Sequence, residues 1–430
     1  MKQYIIVSYT PWRTTPSRTQ QLAARLRDGE VLFFQPSRPG HSHKDPGRQV
    51  RPNVTVYTLP PVRPLPENAE LLLRHAGKRL AAFIRRTALR HGFRDVVLWT
   101  TQPQHVYLLD HLNHRGLVYD CDADWSDLPP QWEGDLAAAA DVVFAASPGL
   151  LDRLSPCNAN IALIPNGVNY PMFSRPSLEV PPALRDIRGP VMGWVGRIDA
   201  DLDLSPVEYT ALEHPEWTFV LLGKVGEHPR LPRLERLANV RLLGRKPAVE
   251  VPDYVSRFDV CLDLRRREQD FNDVLPRRIY EYLSTGKPIV TLLAPDQVEE
   301  FPDVIYGAHS PADYCRLCER ALAEDPTWVS PRRRDYGAAS TVLMNMLGLV
   351  CDPVGGLVEY PCQNRNAAGV ANALVAAEIA LSGIRQLIPF DEMLAVMYQV
   401  GRHIPSELRE TALGGCAVTP SACERCGQCG

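Results

Sequence analysis

Short, β-branched apolar runs recur through the first 310 residues, separated by helix-like segments. They are Tyr4–Ser8, Glu30–Phe34, Val54–Thr58, Asp95–Trp99, Leu117–Asp120, Asp141–Ala145 and Ile161–Ile164. A run without polar alternation suits a strand covered on both faces, which is the parallel-sheet pattern. Helices are expected over Ser17–Leu26, with Ser17 as N-cap after Pro16, and over Glu67–His91. The order β-α-β-α means a doubly wound sheet. After Asn166-Gly167-Val168 comes a polar, proline-rich passage from Pro171 to Pro190. The alternation then restarts, with strands expected at Val191–Val195, Thr218–Leu222, Val240–Leu243, Val260–Leu264, Pro288–Leu292 and Val304–Tyr306. A helix over Pro276–Ser284 should stop at Gly286.

The predicted class is α/β. Two Rossmann-like doubly wound domains, 1–170 and 191–340, flank a linker over 171–190. Strand signals vanish after residue 340, so 341–430 reads as a small, mostly α-helical segment. Its expected helices are Asn364–Leu381 and Asp391–Val400, the latter just behind Pro389.

Composition narrows the functional classes. In 430 residues, 45% are hydrophobic and 23% charged, an ordinary globular balance. No window approaches the roughly 18 consecutive apolar residues of a membrane-spanning helix. The start, MKQYIIVSYTPW, lacks a small-residue cleavage site and reads as a buried strand, so a cytoplasmic protein is expected. The net charge of −3 argues against nucleic acid as the main partner. The 11 cysteines are unevenly placed: Cys351, Cys362, Cys416, Cys423, Cys426 and Cys429 all fall in the last 80 residues. Such a cluster in a cytosolic chain reads as metal-binding more readily than disulfide-bonded.

The most informative stretch runs from Asp273 to Val290, DVLPRRIYEYLSTGKPIV. Its helix opens after Pro276, where backbone amides attract phosphate, and carries Glu281 one turn deeper. A carboxylate there can accept hydrogen bonds from sugar or ribose hydroxyls, at about 1.5–3 kcal/mol each. The stretch resembles the C-terminal-domain signature of GT-B glycosyltransferases, the family 4-like enzymes of bacterial surface polysaccharides. Val191–Asp199, Trp217–Gly223, Asn239–Arg245 and Phe258–Leu262 resemble the strands of the donor domain. Ala140–Ser147 and Ile164–Val168 resemble the last strands of the acceptor domain. The resemblance covers about residues 1–340.

It implies a nucleotide-diphosphate-sugar donor in the cleft between the domains. Arg197, after Gly196, matches the basic residue that neutralises the diphosphate, and Glu281 matches the ribose- or sugar-binding glutamate. Asp273 stands where many members carry a second acidic residue. Arg277 or Arg278 occupies the place of a further basic residue able to reach phosphate. No metal cofactor is implied for transfer, since such enzymes stabilise the leaving diphosphate with basic side chains and helix dipoles. The acceptor would be a glycan or a lipid-linked sugar, with peripheral contact at the inner membrane face.

Tyr119-Asp-Cys-Asp-Ala-Asp-Trp125 lies at the C-terminal end of a strand, where α/β ligands bind. Three carboxylates so close raise the pKa of at least one, which suits a general base for an acceptor hydroxyl. The sequence does not rank Asp120, Asp122 and Asp124. The loop Pro11–Ser17 also faces the expected cleft, and Arg18 and Gln20 are candidates for acceptor binding.

The tail resembles another enzyme. Leu347–Cys362, Arg365-Asn-Ala367, Ile388-Pro389, Asp391-Glu392 and Arg409–Gly415 resemble the C-terminal part of the iron–sulfur L-serine dehydratase alpha chain. Cys351 and Cys362 match two ligands of its 4Fe–4S cluster. The resemblance implies three protein ligands, and the third belongs to a region this chain lacks. Cys315 and Cys318 lie in a helical Tyr-Cys-Arg-Leu-Cys-Glu stretch that does not match the missing motif. Cys423-x-x-Cys-x-x-Cys429 has metal-ligand spacing of its own. The reading is a glycosyltransferase carrying an incomplete lyase tail. The alternative is an iron–sulfur L-serine ammonia-lyase component with a transferase-like N-terminal region.

Overall fold

The computed structural model describes residues 2–340 except 14–15, 27–28, 38–44, 63–65, 68, 176, 178, 266–273, 294–297, 299–300, 302–303, 328 and 338–339. Asp273, Cys351, Cys362, the expected tail helices and the terminal cysteines lie outside the described residues.

Strands β1 (Lys2–Val7), β2 (Gly29–Gln35), β3 (Arg48–Arg51), β4 (Val54–Thr58), β5 (Val96–Thr100), β6 (Gly116–Cys121), β7 (Val142–Ala145) and β8 (Ile161–Leu163) form one sheet. Between them run helices α1 (Arg18–Ala23), α2 (Glu70–Arg90), α3 (Val106–Leu109), α4 (Pro130–Ala139) and α5 (Pro148–Leu154). Helix α6 (Tyr170–Phe173) follows. A second sheet holds β9 (Val191–Val195), β10 (Thr218–Leu222), β11 (Val240–Gly244), β12 (Val260–Asp263), β13 (Ile289–Thr291) and β14 (Ile305–Gly307). Its helices are α7 (Ser205–Glu213), α8 (Leu231–Leu234), α9 (Val251–Val255), α10 (Arg277–Thr285) and α11 (Pro311–Leu322).

The expected strands all form, within a residue or two at their ends. The reason is visible in the packing. In β1 and β2, Ile5, Val7, Leu32 and Phe34 enter one core while Tyr4, Ile6, Val31 and Phe33 enter the core on the opposite face. The second sheet repeats this, with Val220 and Leu222 on one side and Phe219 and Leu221 on the other. A strand buried on both faces has no polar position to alternate with.

β3 was not expected. It pairs antiparallel with β4 at the sheet edge, and Arg48, Gln49 and Arg51 are exposed. A short charged edge resists further strand pairing, and its polar sequence carries no buried-strand signal. The proline-rich passage packs too. Phe173 and Leu184 are buried in a core beneath the second sheet.

Strand order decides where ligands can sit. The first sheet runs β3-β4-β2-β1-β5-β6-β7-β8 and the second β11-β10-β9-β12-β13-β14. The order reverses between β1 and β5 in one and between β9 and β12 in the other. In an open parallel sheet, the loops leaving the strands on either side of such a point diverge and open a crevice at the C-terminal strand ends. The two C-terminal edges are tied together. Asn166 Nδ2, after β8, donates to the Leu275 carbonyl at 2.9 Å, just ahead of α10. Val274 is buried in a core of the first sheet.

Close approach at the second reversal requires glycine. A Cβ on Gly223 would stand 1.7 Å from the Gly196 carbonyl oxygen, a backbone atom with little room to yield. Gly223→Ala should lower stability by about 3 kcal/mol, the upper range for overpacking. Gly134→Ala is the contrast: it lies inside α4 and its Cβ would meet only Cys157 Sγ, at 3.9 Å. It should gain about 0.5–1 kcal/mol from helix propensity. Urea midpoints moving in opposite directions would confirm both.

Candidate functional site

The residues flanking the first reversal point interlock. After β1, the Tyr9 amide donates to Thr101 Oγ1 at 3.0 Å, and Thr101 returns a bond to the Val7 carbonyl at 3.2 Å. The Thr101 amide donates to His105 Nδ1 at 3.4 Å. Burial pushes the His105 pKa down to about 3, so its imidazole is neutral. The Tyr9 ring meets Trp125 edge-on, with centroids 5.1 Å apart.

The three aspartates after β6 have different fates. Asp120 is fully buried and accepts from Arg18 Nε at 3.0 Å and Nη2 at 2.9 Å. Arg18 is buried as well, and its Nη1 donates to the Pro165 carbonyl at 2.8 Å. Burial opposes the Arg18 charge, but Asp120 outweighs it and raises its pKa. Asp124 accepts from Arg153 Nη1 at 2.6 Å and Ser126 Oγ at 2.9 Å. Burial works to raise the Asp124 pKa, and these two bonds more than reverse that, leaving it lowered. Arg153 also pairs with Glu133 at 3.1 Å, and Glu133 accepts from the Tyr119 hydroxyl at 2.8 Å. Asp124 is thus anchored to the framework of the loop.

Asp122 differs from both. Its Oδ1 is buried with no hydrogen-bond partner among the described residues. Burial first, and then the charge of Asp120, push its pKa up to about 7, against opposing contributions from Arg18 and the Tyr9 hydroxyl. Of the three, it combines an open acceptor atom with a pKa near neutrality, the combination a general base requires.

Arg18 and Gln20, expected at the acceptor, are tied into the scaffold. Gln20 completes a capping box with Ser17, and its side chain brackets Arg13 by accepting from the amide and donating to the carbonyl, both at 2.9 Å. A sequence pattern shows that an arginine opens a helix; it does not show which distant carboxylate meets it.

The second reversal point is built around Arg278. Its guanidinium stacks on Trp194, 3.9 Å from the ring centroid. Its Nη1 forms an ion pair with Asp263 Oδ1 at 3.5 Å without making a hydrogen bond to it. Both atoms are buried without a hydrogen-bond partner among the described residues. Asp263 Oδ2 accepts from Thr291 Oγ1 at 3.1 Å, and the Tyr282 hydroxyl accepts from the Val195 amide at 2.9 Å. Burial lowers the Arg278 pKa, with Asp263 the main opposing influence. Gly196 admits this stack: a Cβ there would come 2.8 Å from Trp194 and 3.1 Å from Arg278 Nη1.

Around that centre, Arg197 is largely exposed and pairs with Asp199. Glu281, mostly covered, accepts from Arg277 Nε at 2.9 Å across one turn of α10. The helix ends as expected at Gly286, whose φ of 75° lies in the left-handed region. Trp194, Tyr9 and Trp125 escaped the sequence reading because aromatic residues beside a strand look like core until topology places them at its C-terminal end, and Asp263 and Tyr282 because their partners Thr291 and Val195 are distant in sequence.

Comparison with known proteins divides the chain in two. The family model for the serine dehydratase alpha chain matches residues 333–417. The L-serine dehydratase alpha chain of Peptoniphilus asaccharolyticus is 55% identical over 80 residues, 19% of this chain and 27% of that protein. TuaH of Bacillus subtilis (strain 168), named as a teichuronic acid biosynthesis glycosyltransferase, is 27% identical over 287 residues, 59% of this chain and 72% of TuaH. The Escherichia coli trehalose-6-phosphate structure with bound UDP-2-fluoro glucose superposes with a TM-score of 0.63 at 13% identity, covering 81% of this chain and 97% of that one. The chain joins a fold like that of GT-B glycosyltransferases to a segment similar to the serine dehydratase alpha chain. It spans only 27–40% of the length of the first three serine dehydratase relatives.

The Asp122 pKa makes a stability prediction. Its folded value of about 7 lies above the ordinary carboxylate value of 3.8. The folded state therefore holds a proton that the unfolded chain has released, and stability falls as pH rises from about 4 to 7. Asp122→Asn removes that loss. Its urea midpoint relative to the unsubstituted protein should rise between pH 4 and pH 8; an equal difference at both would remove the assignment.

Proposed function

We propose that residues 1–340 transfer a hexose from a nucleoside-diphosphate sugar to a hydroxyl of a glycan or lipid-linked acceptor. The observation that carries this reading is Arg278 Nη1, a buried cationic donor without a hydrogen-bond partner among the described residues, beside a reversal point of a parallel sheet. A buried unsatisfied N–H calls for an acceptor, and an anionic diphosphate is a fitting one. The domain division at 170, 190 and 340 follows the same reading, with acceptor side first and donor side second.

In this mechanism Arg278, with Arg197 and Arg277, balances the charge that develops on the departing diphosphate. Gly196 leaves room for the phosphates to approach. Glu281 accepts hydrogen bonds from ribose or sugar hydroxyls, and Arg277 holds its carboxylate in place. Asp122 takes the acceptor hydroxyl proton, helped by a pKa near 7. Asp120 and Asp124 position it, one through Arg18 and the other through Arg153. Asp273 keeps its role as a second acidic donor contact only as part of this proposal.

Contact with a lipid-linked acceptor is supported by α2. Lys78, Arg79, Arg85, Arg86 and Arg90 lie exposed on it with Leu71 and Leu89, and its one acidic residue is Glu70. A basic helix face with protruding leucines suits an anionic lipid surface. Among the described residues no helix is long and apolar enough to cross a membrane. We place the protein in the cytoplasm, at the inner membrane face.

The purified chain, incubated with a panel of nucleoside-diphosphate hexoses, should release nucleoside diphosphate by transfer or slow hydrolysis. Asp122→Asn should lower kcat by about 10²–10⁴-fold, the usual contribution of a general base, with little change in donor KM. Glu281→Ala should abolish turnover while leaving the far-ultraviolet circular dichroism unchanged. Unchanged turnover in either variant would refute that residue's role.

A second reading attaches to the tail, because Cys351 and Cys362 fall within the segment matched by the serine dehydratase model. We propose that these thiolates hold an iron–sulfur cluster only when a third ligand comes from outside that segment. The cluster would bind and polarise a serine hydroxyl. Anaerobic reconstitution of the chain alone should give neither the brown chromophore nor pyruvate from serine. A stable chromophore with pyruvate formation would favour the lyase reading.

A further inference from the structure

His214, Cys315 and Glu319 come from two helices and meet at one point. His214 caps the C-terminus of α7, while Cys315 and Glu319 lie one turn apart on α11. Their ligand atoms all lie within 4.8 Å of one another. We propose that these three side chains bind a divalent transition metal of the zinc class, clamping α7 to α11 on the outer face of the second sheet.

The histidine is presented as a ligand. Its Nδ1 lies 2.9 Å from Glu216 Oε1 and its Nε2 lies 3.0 Å from Glu319 Oε1. A neutral imidazole donates from one nitrogen only and offers a lone pair on the other. With the ion bound, Nδ1–H directed to Glu216 leaves the Nε2 lone pair for the metal, which takes the place of the metal-free contact between Nε2 and Glu319 Oε1. A carboxylate behind a histidine is the recurring device that fixes tautomer and ring orientation at metal sites. Trp217 adds a second restraint, stacked on the imidazole at 3.7 Å and 5°.

The donor set selects the metal. One nitrogen, one sulfur and one oxygen suit zinc, with water in a fourth tetrahedral position, and do not suit magnesium or calcium. Cys315 is buried, and metal binding displaces its thiol proton to solvent. Glu319 is exposed and gives the ion an entry side. Cys318, three residues on, points elsewhere: it is fully buried in the core with Tyr314 and Leu221. The pair of cysteines noted in the sequence thus divides into one ligand and one core residue.

Cobalt(II) tests this on the full-length chain under reductant, reading bound equivalents and the thiolate-to-cobalt charge-transfer band. The cysteines after residue 350 are the same in every variant, so the difference between variants is what counts. Cys315→Ala and His214→Gln should each bind one equivalent less than the unsubstituted chain and lose part of the band. Zinc should raise the melting temperature of the unsubstituted chain more than that of either variant. Cys315→Ala leaves both His214–carboxylate contacts intact, so it remains informative should His214→Gln fail to fold. Equal cobalt equivalents and identical spectra in Cys315→Ala and the unsubstituted chain would overturn the proposal.

Discussion

The buried pair of Arg18 and Asp120 fixes the first half of the molecule. One guanidinium joins the start of α1, the end of β6 and the carbonyl of Pro165 after β8. Breaking such a pair by removing one partner leaves an uncompensated buried charge and costs about 3–5 kcal/mol. The same pair sets the chemistry beside it. Burial first, and then the neighbouring Asp120, raise the pKa of Asp122. A scaffold contact and a candidate base are therefore one electrostatic unit. Arg18 cannot be altered without changing both.

The second sheet uses an unsatisfied version of the same device. Arg278 lies flat on Trp194 and close to Asp263, yet its Nη1 and Asp263 Oδ1 do not hydrogen-bond. In the first sheet every nitrogen of the cation has a protein acceptor; in the second, among the described residues, a donor is left over. That asymmetry supports the proposed reading, in which the first half manages a proton and the second half receives an anion. The tie between Asn166 and Leu275 brings the exit of one sheet to the start of the helix that carries Arg278.

Much of the architecture was legible because two-sided burial leaves unbroken apolar runs, and runs such as Val96–Thr100 or Val191–Val195 have no other stable use. The stop of α10 at Gly286 was legible for a similar reason, since a left-handed residue there favours glycine. What the sequence could not reveal was pairing at long range. The motif Asp120-x-Asp122-x-Asp124 offered three equivalent carboxylates, and only the positions of Arg18 and Arg153, 102 and 29 residues away from their partners, tell them apart. Edge strand β3 was hidden because an edge has no need to be apolar. Cys315 and Cys318 share one helical stretch in the sequence, and only helix geometry sends them in different directions.

The join between the two resemblances is not where sequence similarity alone would put it. The serine dehydratase match begins at Arg333. Yet Arg333 is fully buried, donates from Nε to the Val304 carbonyl at 2.8 Å, and pairs with Glu324. A Cβ on Gly337 would strike Ser284 on α10, and Ser340 is buried. These residues complete the second sheet's fold whatever family they resemble. A structural edge is set by which side chains exclude water together, and Arg333, Gly337 and Ser340 pack with the glycosyltransferase-like body. Any truncation intended to remove the tail must retain them, since cutting at 332 would expose the Val304 carbonyl and leave Glu324 without its buried cation.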